Sequence, residues 1–176
     1  ASGLDAIRNV AIAGSQIAEI SAAPLKGRTV IDVSGSIVAP GFIDLHAHGQ
    51  TPENYALRAR DGVTTALELE IGAVDIPKWY ADRKGTALIN FGASVAHTPV
   101  RMIVMQDPGA RVPTGAAAHK LANSEEIEQI QKQIERGLER GAPGVGINLR
   151  LAEAASSWEV LQLFRTAASY SASCYV

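Results

Sequence analysis

The fold of this chain is decided by residues 40–49, which read PGFIDLHAHG. Residues 37–45 form a nearly continuous apolar run, which is typical of a strand buried on both faces in a parallel sheet. Side chains two positions apart on a strand point to the same face. His46 and His48 therefore place two imidazoles together at the carboxyl end of this strand, where parallel β/α folds build their active sites. The pair predicts a site for zinc, iron, nickel or copper, and the alternatives are a pair of satisfied core histidines or an exposed pair at a loop edge.

Downstream of this stretch, predicted strands and helices alternate along the chain. This alternation favours parallel βα units and an α/β fold. The upstream residues instead predict a small β layer, with a hairpin that turns at Gly14-Ser15 and a further strand over 28–33. The sequence therefore divides into segments 1–38 and 39–176. The predicted helices cover 51–60, 77–84, 124–140 and a segment that starts after Ser156, and the predicted strands cover 63–71, 87–96, 144–149 and 172–176.

Two of the predicted helices begin with a capping pattern. Asn123 with Glu126, and Ser156 with Glu159, have the spacing of a capping box. The helical period predicts which side chains face the core. They are Ile127, Ile130, Ile134 and Leu138 in the first helix, and Leu161, Phe164 and Ala168 in the second.

The composition excludes several functional classes. The 176 residues carry a net charge of −2, which gives no general attraction to nucleic acid or to an anionic membrane surface. The single cysteine, Cys174, excludes an internal disulfide framework and a multi-cysteine metal site. No apolar run is long enough to span a membrane, and the chain opens without a signal-peptide pattern, so a cytoplasmic protein is expected.

Two strands carry further candidates for the same pocket. Glu68 and Glu70 are two positions apart, so both face one side of their strand. Burying two carboxylates in an apolar strand is costly unless a cation or hydrogen-bond donors lie nearby. His97 ends the next strand, and Arg101 behind it is a candidate partner for a substrate carboxylate. The alternative is that His97 only ends the strand and that Arg101 is a surface charge.

Several of these motifs resemble the amidohydrolase superfamily. Residues 38–49 (VAPGFIDLHAHG) resemble its first barrel strand, where the metal centre begins with the His-x-His pair, and residues 61–65 (DGVTT) resemble the opening of its second strand. The N-acyl-D-amino-acid deacylase (D-aminoacylase) family is the most similar branch, through residues 88–97 (LINFGASVAH) and 137–146 (GLERGAPGVG). The resemblance implies part of a TIM (β/α)8 barrel of about four and a half βα units, preceded by a small β-sandwich segment.

The resemblance also implies a zinc centre of one or two divalent ions. His46 and His48 would bind metal, and Glu70 would replace the cysteine that the family carries late in its second strand. Glu68, His97 and Arg101 would support these ligands or contact substrate. The family's two further histidine ligands and its general acid/base aspartate are expected beyond Val176.

The implied reaction is hydrolysis of the amide bond of an N-acyl-D-amino acid, by attack of a metal-bound hydroxide, to a carboxylate and a D-amino acid. The expected partners are this small molecule and either further copies of the chain or a C-terminal half. One alternative is a truncated, non-catalytic half-barrel or a partner-dependent subunit, because a complete barrel takes roughly 250 residues. Another is a cyclic-amide hydrolase such as dihydroorotase or hydantoinase, which is disfavoured because residues 144–150 lack the lysine that this branch uses.

Overall fold

The first regular structure along the chain is an antiparallel hairpin. In the computed structural model, which describes residues 5–176, β1 (Asn9–Ala13) pairs with β2 (Gln16–Ser21). Gly14 forms the turn with a φ of 61°, which glycine adopts without a steric penalty. The predicted hairpin is therefore confirmed. Among the described residues, 22–41 contain no helix or strand, so the further strand predicted over 28–33 is wrong.

The chain divides after Ala39 into two compact units, and the larger one runs from Pro40 to Val176. Strands and helices follow one another through this larger unit. The strands are β3 (Phe42–Asp44), β4 (Val63–Ala73), β5 (Asn90–Ala96), β6 (Gly144–Gly146) and β7 (Ser173–Tyr175). The helices are α1 (Pro52–Arg60), α2 (Ile76–Ala81), α3 (His97–Val104), α4 (Ala116–His119), α5 (Ser124–Glu139) and α6 (Ser157–Ser169).

The five strands of the larger unit form one parallel sheet in the order β3-β4-β5-β6-β7. Parallel neighbours require crossover connections, and the intervening helices provide them. The predicted α/β fold of parallel βα units is therefore confirmed. The strands' carboxyl ends lie at one edge of the sheet, so residues that follow β3 come close to residues of the longer β4.

The first strand of this sheet is shorter and more exposed than predicted. The apolar run 37–45 predicts a strand buried on both faces, whereas β3 has three residues and the side chains of Phe42, Ile43 and Leu45 are exposed. The physical reason is position, because β3 pairs only with β4 and forms an edge of the sheet among the described residues. His46 and His48 consequently lie just after the strand, in an exposed segment.

The main hydrophobic core joins side chains of β5 and β6 to those of helices α3, α5 and α6. Helix α5 contributes the predicted face, since all four of its predicted apolar residues are buried. Its capping box is also confirmed. Asn123 accepts a hydrogen bond from the Glu126 amide at 2.9 Å, and the Glu126 carboxylate accepts one from the Asn123 amide at 2.7 Å.

The face of α6 that packs inward differs from the predicted one. The predicted Leu161, Phe164 and Ala168 are exposed. The buried residues are Glu159, Leu163, Thr166 and Ala167, which share the helical spacing i, i+4, i+7 and i+8. The prediction failed because the buried face of this helix begins with a charged residue. Ser156 still caps the helix by accepting a hydrogen bond from the Glu159 amide at 3.1 Å.

None of the helices in residues 5–176 is long and apolar enough to cross a membrane.

Candidate metal centre

Two histidines and a glutamate converge at the carboxyl end of β3. One ligand atom from each of His46, His48 and Glu70 lies within 4.8 Å of the other two. The two imidazole Nε2 atoms are 2.9 Å apart, and the His48 Nε2 atom lies 3.7 Å from a Glu70 carboxylate oxygen. The fold thus brings the predicted ligand set together, although the histidines follow β3 and the glutamate lies on β4.

The position of Glu70 depends on an irregularity in β4. The pairing of β4 with β5 runs regularly to Glu68 opposite Ala93, breaks, and resumes with Ala73 opposite Val95. Gly72 lies within this break with a φ of 75°, and a Cβ atom there would approach the Ser94 backbone oxygen to 2.5 Å. Only glycine fits this position. Glu70 lies within this break, so its backbone does not follow the regular pairing of β4 with β5.

Glu68 fixes the ring of His48. A Glu68 carboxylate oxygen lies 2.6 Å from the Nδ1 atom of His48. An ionised carboxylate accepts a hydrogen bond from an Nδ1–H group, and in that tautomer the lone pair of His48 is on Nε2, which faces His46 and Glu70. Burial raises the pKa of Glu68 above its ordinary value, and the hydrogen bond from His48 acts in the opposite direction. Glu68 therefore lies in hydrogen-bond contact with a candidate ligand, and its role as a support for that ligand stays a prediction.

Asn148 orients the Glu70 carboxylate from the loop after β6. The Asn148 side-chain amide donates a hydrogen bond to one Glu70 carboxylate oxygen. The other Glu70 oxygen is the one that lies toward His48. The backbone of Asn148 is held in turn, since its carbonyl accepts a hydrogen bond from the Thr98 hydroxyl at 3.2 Å. The carboxylate thus has one oxygen engaged by the protein and one directed to the candidate centre.

This donor set fits a divalent cation of the zinc type. Two imidazole nitrogens and one carboxylate oxygen are a known three-residue ligand set of catalytic zinc sites, which keep a further position open. The two Nε2 atoms lie 2.9 Å apart, and a cation between them would bind the lone pair of each. Both histidines are exposed, so the open position would face solvent rather than the core.

The structure places His97 and Arg101 in a buried ionic cluster with Glu159. The His97 Nε2 atom lies 2.7 Å from one Glu159 oxygen, and the Arg101 guanidinium donates to the other. All three side chains are fully buried. Arg101 also donates to the backbone oxygens of Ala117 and Lys120. The alternative that Arg101 is a surface charge is therefore wrong, and its carboxylate partner in this structure is Glu159.

The electrostatics of this cluster favour the charged form of Glu159. Burial alone would raise its pKa, but the hydrogen bonds from His97 and Arg101 outweigh burial and hold the pKa below its ordinary value. The Nδ1 atom of His97 is buried without a hydrogen-bond partner among the described residues. Neither His97 nor Arg101 is hydrogen-bonded to the three candidate ligands, and a contact of either with substrate stays a prediction.

Sequence reasoning missed the partners of these predicted residues. The sequence predicts only a capping role for Glu159, because its spacing from Ser156 is that of a capping box. Its carboxylate instead reaches residues about 60 positions earlier in the chain, a pairing that no local pattern indicates. Asn148 could be recognised as polar at the end of a predicted strand, but its pairing with Glu70 follows only from the order of strands in the sheet.

Comparisons with known proteins find two deacylases that are similar over most of this chain. The D-aminoacylase of Alcaligenes xylosoxydans xylosoxydans is 28% identical over 193 residues, covering 89% of this chain and 37% of that protein. A solved D-aminoacylase, studied for the role of its binuclear metal centre, has a TM-score of 0.66 and 25% identity over 96% of this chain and 40% of that one. The N-acyl-D-glutamate deacylase of Bordetella bronchiseptica, solved with zinc and a phosphonate inhibitor, has a TM-score of 0.72 and 24% identity over 95% of this chain and 40% of its own. No protein-family profile matches the chain.

A parallel sheet in chain order, with a His-x-His pair after its first strand, agrees with the resemblance to the amidohydrolase superfamily. The structural likeness to D-aminoacylase confirms the predicted partial TIM barrel. These similarities support the D-aminoacylase family of the amidohydrolase superfamily for this chain. It spans 37% of the Alcaligenes D-aminoacylase, 33% of the Alcaligenes N-acyl-D-glutamate deacylase and 40% of the solved D-aminoacylase.

Proposed function

We propose that this protein is a zinc-dependent hydrolase that cleaves the amide bond of an N-acyl-D-amino acid, yielding a carboxylate and a D-amino acid. The observation that carries the proposal is the convergence of His46, His48 and Glu70 within 4.8 Å. The substrate class is supported by the relatives, which are a D-aminoacylase and an N-acyl-D-glutamate deacylase.

His46, His48 and Glu70 would hold the cation, one ion at least, through two nitrogens and one oxygen. A divalent cation in such a site supplies Lewis acidity toward the amide carbonyl and lowers the pKa of bound water. The exposure of both imidazoles leaves the centre accessible to a small molecule from solvent. The scissile amide would therefore approach from the open side of the His-x-His segment.

Glu68 and Asn148 would keep the ligands in their binding form. Glu68 would accept a hydrogen bond from the Nδ1–H group of His48, so that Nε2 is free to bind a cation. Asn148 engages one oxygen of Glu70 and so presents the other to the centre. Neither residue needs to touch substrate in this arrangement. Their contribution is to reduce the reorganisation that cation binding requires.

The first test of this proposal is zinc binding by the purified protein and by three variants. The metal-stripped protein should bind zinc in stoichiometric amount, whereas the double variant His46→Ala with His48→Ala, and Glu70→Gln, should lose most of that binding. His119→Ala is the matched control, because His119 is an exposed histidine outside the cluster. Equal zinc binding by the control and the double variant would contradict the assigned ligands.

The second test addresses the reaction. The zinc-loaded protein should release free amino acid from N-acetyl-D-amino acids in preference to their L enantiomers, and the double histidine variant should not. Zinc binding without any hydrolysis would retain the metal centre and reject the proposed activity. Hydrolysis that persists in the double histidine variant would reject the proposed centre.

A further inference from the structure

We infer that Tyr55 and Gln50 are positioning residues that hold the backbone of the His46-Ala47-His48 segment, and with it the two candidate ligands. This inference rests on the proposed function for its importance. Neither residue belongs to the candidate ligand set, and two hydrogen bonds connect them to the backbone between the histidines. The relay is defined as the Tyr55 hydroxyl, the Gln50 side-chain amide and the Ala47 carbonyl.

The relay is short, buried and fully paired. The Tyr55 hydroxyl donates to the Gln50 Oε1 atom at 2.8 Å, and the Gln50 Nε2 atom donates to the Ala47 backbone oxygen at 3.0 Å. Tyr55 is 0% exposed and Gln50 is 5% exposed. A buried phenol and amide are costly unless they are hydrogen-bonded. These two groups satisfy each other and end on the residue between the two histidines.

A second set of bonds anchors the rest of this segment. Arg58, one helical turn after Tyr55 on α1, donates to the Asp44 carboxylate and to the His48 backbone oxygen, the latter at 3.3 Å. Asp44 accepts a hydrogen bond from the His46 amide at 3.0 Å. Helix α1 therefore holds the segment at two places, through Tyr55 at its centre and through Arg58 at its ends.

The anchored backbone determines where the imidazoles lie. The Ala47 amide donates to the Leu67 carbonyl of β4 at 3.0 Å, and the Ala47 side chain is fully buried. The imidazoles on either side of Ala47 are exposed and converge on one point. A shift of the Ala47 peptide would move both Nε2 atoms together relative to Glu70. Metal sites tolerate ligand displacements of only about 0.2 Å, so the relay sets the fit of the centre.

The position of Tyr55 is itself determined by the sequence around α1. Thr51 caps this helix by accepting a hydrogen bond from the Asn54 amide at 3.2 Å, and Pro52 occupies its first position. The start of the helix is thereby fixed just after the His-x-His segment. Tyr55 then falls in the first turn, with its ring packed among Ala47, Ala66 and Phe91. Gln50 lies between the cap and the histidines, within reach of both.

The experiment compares Tyr55→Phe, which removes one oxygen atom, with Gln50→Glu, which keeps an acceptor for Tyr55 but removes the donor to Ala47. Tyr170→Phe is the control, because its hydroxyl makes a single hydrogen bond to Glu139 at 3.0 Å on a distant helix. Amide hydrogen exchange of the metal-stripped protein should accelerate over residues 45–51 in both relay variants and stay unchanged in the control. The effect should be larger in Gln50→Glu.

Zinc affinity is the second readout. Removing a partner that orients a metal ligand typically weakens metal binding about 10-fold to 100-fold, and both relay variants should show a loss in this range. Unchanged exchange over 45–51 in both relay variants would overturn the inference, as would zinc affinity equal to that of the control. If the unmodified protein bound no zinc, the proposed function would fail, whereas the exchange comparison would still decide whether the relay holds the segment.

Discussion

A single buried carboxylate, Glu159, links three helices of the larger unit. It bonds to His97 at the start of α3 and to Arg101 one turn later, and Arg101 reaches the backbone of α4. Each group is buried, so each depends on the others to offset the loss of water. The stability of this region therefore depends on the charge of one residue.

Glu159→Gln should destabilise the protein by about 3–5 kcal/mol at pH 7, because it leaves the Arg101 charge buried without a counter-ion. The pKa of Glu159 is lower in the folded protein than its ordinary value of 4.5. Its contribution is therefore complete above about pH 4.5 and is lost as the pH falls through the lower, folded pKa. Urea unfolding at pH 7 and in acid should show the difference between the two proteins shrinking below that pH.

Glu128→Gln is the matched control, because it removes an exposed carboxylate paired with Lys132 on α5. Such helix-surface pairs contribute about 0.3–0.5 kcal/mol, so this variant should stay close to the unmodified protein. A loss for Glu159→Gln no larger than that of the control would contradict the stabilising role of the cluster.

At this scale the sequence indicated which candidate ligands converge, but it did not indicate all of the side chains that bond to them. The candidate ligands belong to two short local patterns, a His-x-His pair and a Glu-x-Glu pair. Strand geometry predicts that the two side chains of each pair lie on the same face. The supporting groups cannot be deduced in this way. Asn148 is 78 positions from Glu70, and their contact arises only because β4, β5 and β6 are neighbours in the sheet.

Among the elements, α5 was the most predictable and β3 the least. Helix α5 combines a capping box with an apolar stripe, so local and tertiary preferences agree along its whole length. The apolar run before His46 suits a buried strand, but only three of its residues pair, because the strand lies at an edge of the sheet. An apolar run therefore predicts a buried strand only if other strands pair with it on both sides.

Gly137 of α5 packs closely against Val95 of β5, a contact that the helical period does not predict. It is buried on α5, and a Cβ atom built on it would overlap the side chain of Val95 on β5. Gly137→Ala should therefore destabilise the protein by about 1–3 kcal/mol through overpacking. At an exposed helical position the same change would be stabilising by about 1 kcal/mol. The free energy of unfolding, measured with urea, distinguishes the two cases by sign.

Gln129→Ala is the comparison for this element, since Gln129 is an exposed residue of the same helix. It should change the stability by no more than about 0.5 kcal/mol. A stabilising effect of Gly137→Ala would mean that the helix and β5 do not approach each other as closely as the structure shows.

At the scale of the whole molecule, the candidate centre couples two strands of the larger unit. The two histidines precede α1 and Glu70 follows it, at least 22 positions later in the sequence. These candidate ligands come together only in the folded sheet. An unfolded chain has no such preformed site, so the free energy of zinc binding adds to the free energy of folding. Zinc should therefore act as a stabilising ligand.

Zinc at about 100 times its dissociation constant should raise the free energy of unfolding by about 2.7 kcal/mol, and a chelator should reverse the increase. The gain should shrink as the pH is lowered, because zinc and protons compete for the Nε2 atoms of His46 and His48. Thermal and urea unfolding with zinc and with chelator, at several pH values, measure both effects. The double variant His46→Ala with His48→Ala should show neither effect, while His119→Ala should show both. Equal stabilisation of the two variants by zinc would place its binding outside the His-x-His segment and would argue against the centre assigned to these strands.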